Sequence, residues 1–338
     1  MRAPARLVAV EHFGSNPGAL KAWAYVPRNL EPGSPLVVVL HGCRQTAADY
    51  DHGAGWSLMA DRYRFAVLYP EQTRLNNAHL CFNWFEPGDT RRDAGEAFSI
   101  RQMIEQLAVA RGIDRRRIFV TGLSAGGAMA MAMLASYPDV FSGGAVIAGL
   151  AYGTATTIPE AFDRMRGHGA PDRAALTALV RSASDYEGAW PRLSVWQGSD
   201  DPTVVPSNAD VIIEQWTALH GLSPEPSDTE TIDGHRRHVW RNHRGDDVIE
   251  LYRVAGMGHG APVHEDGIDG GDSSGPYMLA AGISATRRIA TFWRLAPSIE
   301  SKSVNHPRVA PHRPEHAAFR RPGIAAVIDK ALRYAGLR

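Results

Sequence analysis

The chain has 338 residues, 44% of them hydrophobic and 21% charged, enough to bury a sizeable core and too apolar for wholesale disorder. Thirty-six basic residues balance thirty-six acidic ones, so no net field draws it to nucleic acid or an anionic membrane, and a neutral or small-molecule partner is expected. The first thirty residues contain no apolar run of roughly 7 to 15 residues, so neither a signal peptide nor a membrane anchor is expected there.

Short β-branched runs follow one another along the chain: LVVVL at 36–40, FAVLYP at 65–70, RIFVTG at 117–122, AVIAG at 145–149, LSVWQG at 193–198 and IELYRV at 249–254. They are continuously apolar, as parallel strands buried on both faces are, and helix-like segments separate them. One such segment, 94–110, opens with Asp93 and Glu96 at capping-box spacing and carries Ile100, Met103, Ile104 and Leu107 on one face. This alternation predicts a mostly parallel, doubly wound α/β sheet with helices on both faces. Residues 150–190 interrupt the pattern, either as an insertion over the active-site edge or as a plain surface excursion. From 299 to 338 the chain reads as a basic, Pro-containing linker followed by an amphipathic C-terminal helix, leaving 1–298 as the main domain.

Gly122-Leu123-Ser124-Ala125-Gly126 stands between the strand RIFVT and an Ala/Met-rich helix. A nucleophile elbow needs that order: a sharp turn exposes the serine, and glycines on either side let strand and helix approach. A second copy of the pattern, Gly271-Asp272-Ser273-Ser274-Gly275, follows a polar loop instead of a strand, so context selects Ser124 and predicts an α/β-hydrolase fold. A serine hydroxyl attacks only when a histidine takes its proton and a carboxylate orients that histidine. In this fold the acid and then the histidine follow the serine, each after a later strand. Asp201 and its neighbour Asp200 follow LSVWQG; His259, framed as GMGHG, follows IELYRV, with His264 a less glycine-framed rival. The tetrahedral intermediate needs two backbone donors, expected from Ala125 N–H and from Cys43 N–H in the His41-Gly42-Cys43 turn after LVVVL. His235, His238 and His243 lie among arginines in a polar stretch read as a solvated loop instead of a metal site.

Taken together, PLVVVLHGCRQTA, CFNWF, GLSAGG, the Gly-x-x-Asp-x-x-Val around Asp201, GMGHG and GPYMLAAGIS resemble the polyhydroxybutyrate depolymerase family of esterases over roughly residues 15–295. The resemblance implies hydrolysis of short-chain hydroxyalkanoate esters by Ser124, Asp201 and His259, with no metal or organic cofactor, and favours Asp201 over Asp200. It also implies a disulfide between Cys43 and Cys81, the two cysteines of the chain, where the alternative is a pair of free thiols. Such a bridge closes a loop of nearly forty residues, worth roughly 4 kcal/mol in the chain-entropy model. Trp84 and Asn83 of CFNWF are implied to border the substrate, against a plain core-packing role for the tryptophan.

Secreted members of the family carry a separate polymer-binding module and are extracellular; nothing after residue 298 reads as such a module, which favours oligomers or small soluble esters over crystalline polymer. Two rival readings remain at this stage: a feruloyl or acetyl carbohydrate esterase on the same fold, and an inactive α/β-hydrolase that only binds.

Overall fold

A computed structural model describes residues 6–265, 267 and 271–299. The early elements are β1 (Val8–Ala9), β2 (Lys21–Tyr25), β3 (Leu36–Leu40), α1 (Ala47–Ala54), α2 (Trp56–Tyr63), β4 (Ala66–Glu71), α3 (Pro87–Thr90) and α4 (Gly95–Arg111). Then come β5 (Ile118–Leu123), α5 (Ala125–Ser136), β6 (Gly143–Ile147), α6 (Ile158–Met165), α7 (Arg173–Arg181), β7 (Arg192–Gly198) and α8 (Ser207–Leu219). The described chain closes with β8 (Asp228–Ile232), β9 (His235–Arg241), β10 (Asp247–Val254), β11 (Ala261–Val263), β12 (Met278–Ala280) and α9 (Ala285–Phe292).

Ten strands form one sheet in the order β1-β2-β4-β3-β5-β6-β7-β10-β9-β8. The central strands from β4 to β10 run parallel, and the strands outside them at both edges pair antiparallel. Alternation along β3 explains why its whole run is apolar: Leu36, Val38 and Leu40 enter one core with α4, α5 and α8, while Val37 and Val39 enter another with α1, α2 and α9. Helix α5 is buried on every side, which is why its sequence carries no polar face. The fold is thus the expected doubly wound α/β sheet, and no helix among the described residues is long and apolar enough to cross a membrane.

The structure corrects two local expectations. Asp93 and Glu96 do not form a capping box: Asp93 lies at φ +61, the N-cap is Ala94, and Glu96 is turned fully inward. Asp89 Oδ1 instead accepts the Glu96 N–H at 3.2 Å, capping the helix from α3. The histidine-rich stretch is not a solvated loop but contains β9, which lies between β10 and β8 and forms cross-strand ion pairs: Arg237 bonds Glu250 and Asp247, and Arg241 bonds Asp247. Polar composition concealed a strand whose charges are paired. His235 is buried there, its Nδ1 accepting from Ala255 N–H at 3.1 Å and its Nε2 donating to Ala281 O at 2.9 Å.

Residues 150–190 contain α6 and α7, and Met165 O at the end of α6 accepts hydrogen bonds from Val205 N–H (2.9 Å) and Asn208 Nδ2 (3.2 Å). Residues up to Ser298 form one compact unit. Past Ile299, the linker and C-terminal helix expected over 299–338 lie outside the described residues.

Candidate active site

The parallel strands deliver their C-terminal ends to one edge of the sheet, and the segments that follow β3, β5, β7 and β10 carry Cys43, Ser124, Asp201 and His259 in turn. At the end of β5, Ser124 has φ +56, a strained backbone for a side-chain-bearing residue. Glycine is required around it: a Cβ on Gly122 would lie 2.3 Å from Gly126 O, and one on Gly126 would lie 2.3 Å from Leu40 O. The strain is held because Ser124 N–H donates to Ile147 O at 2.8 Å, tying the turn to the next strand.

His259 Nε2 is 2.9 Å from Ser124 Oγ, and His259 Nδ1 is 2.8 Å from Asp201 Oδ2. An ionised Asp201 only accepts, so Nδ1 carries the proton and the Nε2 lone pair faces the serine O–H. The Asp201 side chain is fully buried, and its other oxygen, Oδ1, accepts the N–H groups of Thr203 (2.8 Å) and Val204 (3.0 Å). Those bonds leave Oδ2 for the histidine, with Gln197 Nε2 as a further donor at 3.2 Å. The loop carrying His259 packs directly on the end of β7, where a Cβ on Gly198 would lie 2.3 Å from Met257 O.

Asp200 is exposed and accepts from Ser199 Oγ at 2.8 Å. His264 is exposed too. The second Gly-x-Ser-x-Gly copy lies outside any helix, with Ser273 N–H bonded to Gly53 O at 2.9 Å and no positive φ at Ser273.

On the other side of Ser124, Ala125 N–H opens helix α5 and Cys43 N–H follows the Gly42 turn; among the described residues neither has a hydrogen-bond acceptor. Buried His41 fixes that turn. Gln72 N–H donates to His41 Nε2 at 3.1 Å, so the proton is on Nδ1, which donates to Gly42 O at 2.7 Å. Burial lowers the His41 pKa below the ordinary histidine value, keeping the ring neutral and this tautomer in place. Gln45 Oε1 accepts the Gly42 N–H at 2.8 Å, gripping the turn from its other face. Cys43 and Cys81 form a disulfide, as the resemblance implies, and Arg44 N–H donates to His79 O at 2.8 Å beside it.

Trp84 is half-buried and packs against Ala128, Leu150 and Val204, with Met165 of α6 beside it. That cluster joins the first turn of α5 to the loop that carries Asp201. Asn83 commits its amide to the scaffold, accepting from Asn77 Nδ2 and donating to Asp89 Oδ2, each at 3.0 Å. Sequence reasoning missed Gln45, Gln72 and Gln197, whose amides hold backbone turns and leave no spacing pattern. It also missed Tyr277, at φ +63 with its ring edge-on to His259 at a centroid distance of 6.4 Å; a positive φ at a bulky residue has no signature in sequence.

The family profile described as "Esterase PHB depolymerase" matches residues 23–236. The chain is 42% identical over 289 residues to the poly(3-hydroxyalkanoate) depolymerase C of Paucimonas lemoignei, covering 85% of this chain and 70% of that protein. It is 30% identical over 268 residues to the feruloyl esterase B of Talaromyces funiculosus, covering 76% of this chain and 74% of that one. Among solved structures, an acetyl xylan esterase from Aspergillus awamori superposes with a TM-score of 0.73 at 24% identity, covering 86% of this chain and 99% of its own, which establishes the α/β-hydrolase fold.

Proposed function

The chain is a carboxylic ester hydrolase belonging to the esterase PHB depolymerase family, and on that premise we propose that it cleaves short-chain hydroxyalkanoate esters with Ser124 as nucleophile, His259 as base and Asp201 as orienting acid. The observation that carries the reading is the unbroken hydrogen-bonded line from Asp201 Oδ2 through both His259 nitrogens to Ser124 Oγ, at 2.8 and 2.9 Å.

In the first step Ser124 Oγ attacks the ester carbonyl carbon as His259 Nε2 takes its proton. The carbonyl oxygen becomes an oxyanion facing Cys43 N–H and Ala125 N–H. The C–O bond to the alcohol then breaks, the leaving oxygen takes the proton back from His259, and the acyl group stays on Ser124. Water attacks the acyl-enzyme with His259 again as base, releasing the acid and restoring the serine. Losing one oxyanion donor typically costs roughly 100- to 1,000-fold in rate, less than the loss of a triad side chain but a large share of the catalysis. Trp84 forms an apolar wall of the pocket, and Asn83 holds that wall in place. Residues 1–298 constitute the catalytic unit, with α6 flanking the site through Met165.

Release of soluble 3-hydroxybutyrate from an amorphous poly(3-hydroxybutyrate) suspension, with Ser124→Ala as the blank, tests the substrate. Release above the blank supports it. The 30% identity to a feruloyl esterase favours a second reading, hydrolysis of carbohydrate-linked aromatic esters. No release from the polymer, together with faster turnover of methyl ferulate than of methyl 3-hydroxybutyrate, would select it instead.

A further inference from the structure

Glu96 is a fully buried carboxyl with no role in the line from Asp201 to Ser124. The comparably buried Glu250 bonds the Arg237 guanidinium at 2.7 Å; among the described residues no cation pairs with Glu96. Its partners are three N–H donors instead. Oε1 accepts from Gln72 Nε2 at 2.5 Å and from Asn76 Nδ2 at 3.0 Å, and Oε2 accepts the Asn83 N–H at 2.9 Å. The amide orientations are fixed independently, because Gln72 Nε2 also donates to Cys81 O (3.0 Å) and Asn76 Nδ2 to Gly18 O (3.1 Å). Burial, reinforced by Asp89, pushes the Glu96 carboxyl up to about 8, while the three donors pull it down. A buried carboxyl held by donors alone is a costly way to fill space, so its contacts point to what it organises.

Those contacts converge on the oxyanion side. Gln72, held through its side chain by Glu96, donates its backbone N–H to His41, and His41 holds Gly42 O. Gly42 C=O and Cys43 N–H belong to one planar peptide unit, so holding the carbonyl aims the N–H the opposite way. Gln72 also holds Cys81 O beside the disulfide, and Asn83 N–H ties Glu96 to the residue preceding Trp84.

We propose that Glu96 is a positioning residue for ester hydrolysis, aligning through Gln72 and His41 the peptide unit that presents Cys43 N–H, and through Asn83 the Trp84 wall. This rests on the reading of Ser124 as nucleophile. A misaimed oxyanion donor is missed in the transition state more than in the ground state, so its loss falls on kcat and not on KM.

The test is steady-state hydrolysis of 4-nitrophenyl butyrate by the full chain carrying Glu96→Gln or Gln72→Met, with kcat expressed per site titrated by a fluorophosphonate. Titration removes the effect of a smaller folded fraction, which is all that a merely structural role would change. The expected result is a kcat about 10- to 100-fold lower with KM within about threefold. Wild-type kcat per titrated site, with only a lower melting temperature, would overturn the proposal. Should Glu96→Gln fail to fold, Gln72→Met carries the same readout, and wild-type kcat in it overturns the proposal equally. Activity surviving in Ser124→Ala would instead overturn the nucleophile assignment on which the proposal rests.

Discussion

On the side of the site built from β3 and β4, a disulfide, a neutral buried histidine and a buried carboxyl together hold one backbone N–H; on the side built from β7 and β10, two ionisable side chains hold each other and the serine. The difference follows from what each side presents. The direction of a backbone donor is set by what holds its peptide unit, here the nearby His41 and, from farther along the chain, residues 72, 81 and 96. A side-chain relay is positioned by its own hydrogen bonds, and a glycine-framed loop is enough to bring it into reach.

Breaking the relay side should give the largest effects. Ser124→Ala and His259→Ala are each expected to lower kcat by about 10,000-fold or more, and Asp201→Asn by about 10,000-fold through the wrong histidine tautomer, with circular dichroism unchanged. A retained rate in Asp201→Asn would show that the buried carboxylate does not orient His259. On the donor side the losses are smaller and more structural. Replacing Cys43 and Cys81 by serine removes a link across a 38-residue separation, about 4 kcal/mol in the chain-entropy model, and should lower the melting temperature clearly. Equal melting curves for the oxidised protein and this variant would contradict a bracing role for the bridge.

Glu96 sharpens the contrast through pH. Its folded-state value, pushed up to about 8, lies above the value of 4.5 expected for it unfolded, so the folded chain holds the proton more tightly. Its contribution to stability is therefore full below pH 4.5 and is lost as pH rises through about 8. Melting temperatures taken from pH 5 to 9 should fall more steeply in the wild type than in Glu96→Gln, and parallel profiles would argue against that ionisation. The smallest effect is expected at Asp200: it is exposed, and Asp200→Asn should change kcat by less than about twofold and stability by less than about 0.5 kcal/mol. A collapse of activity there would transfer the acid role from Asp201.

The same contrast explains what could be read in the sequence. Continuous apolar runs such as LVVVL marked the parallel strands because both faces of each are buried, and Ser124, Asp201 and His259 were legible because each follows such a run within a glycine frame. Strand β9 was not legible, since the charges of Arg237 and Arg241, which are paired with acids on β10, give it a polar run that mimics a solvated loop. Glu96 was misread as a capping residue because spacing along one helix says nothing of Gln72 and Asn83, which reach it from the connection between β4 and α3. His41 stood in plain view next to Gly42, but its tautomer depends on the Gln72 N–H, a partner that only the fold supplies.

The most direct test of the central assignment is to label the protein with a fluorophosphonate probe and map the adduct by peptide mass spectrometry, with Ser124→Ala and His259→Ala alongside. The expected result is one adduct on the peptide containing Ser124, absent in Ser124→Ala and formed far more slowly in His259→Ala. An adduct at Ser273, or ester hydrolysis that continues with Ser124 unlabelled, would contradict it.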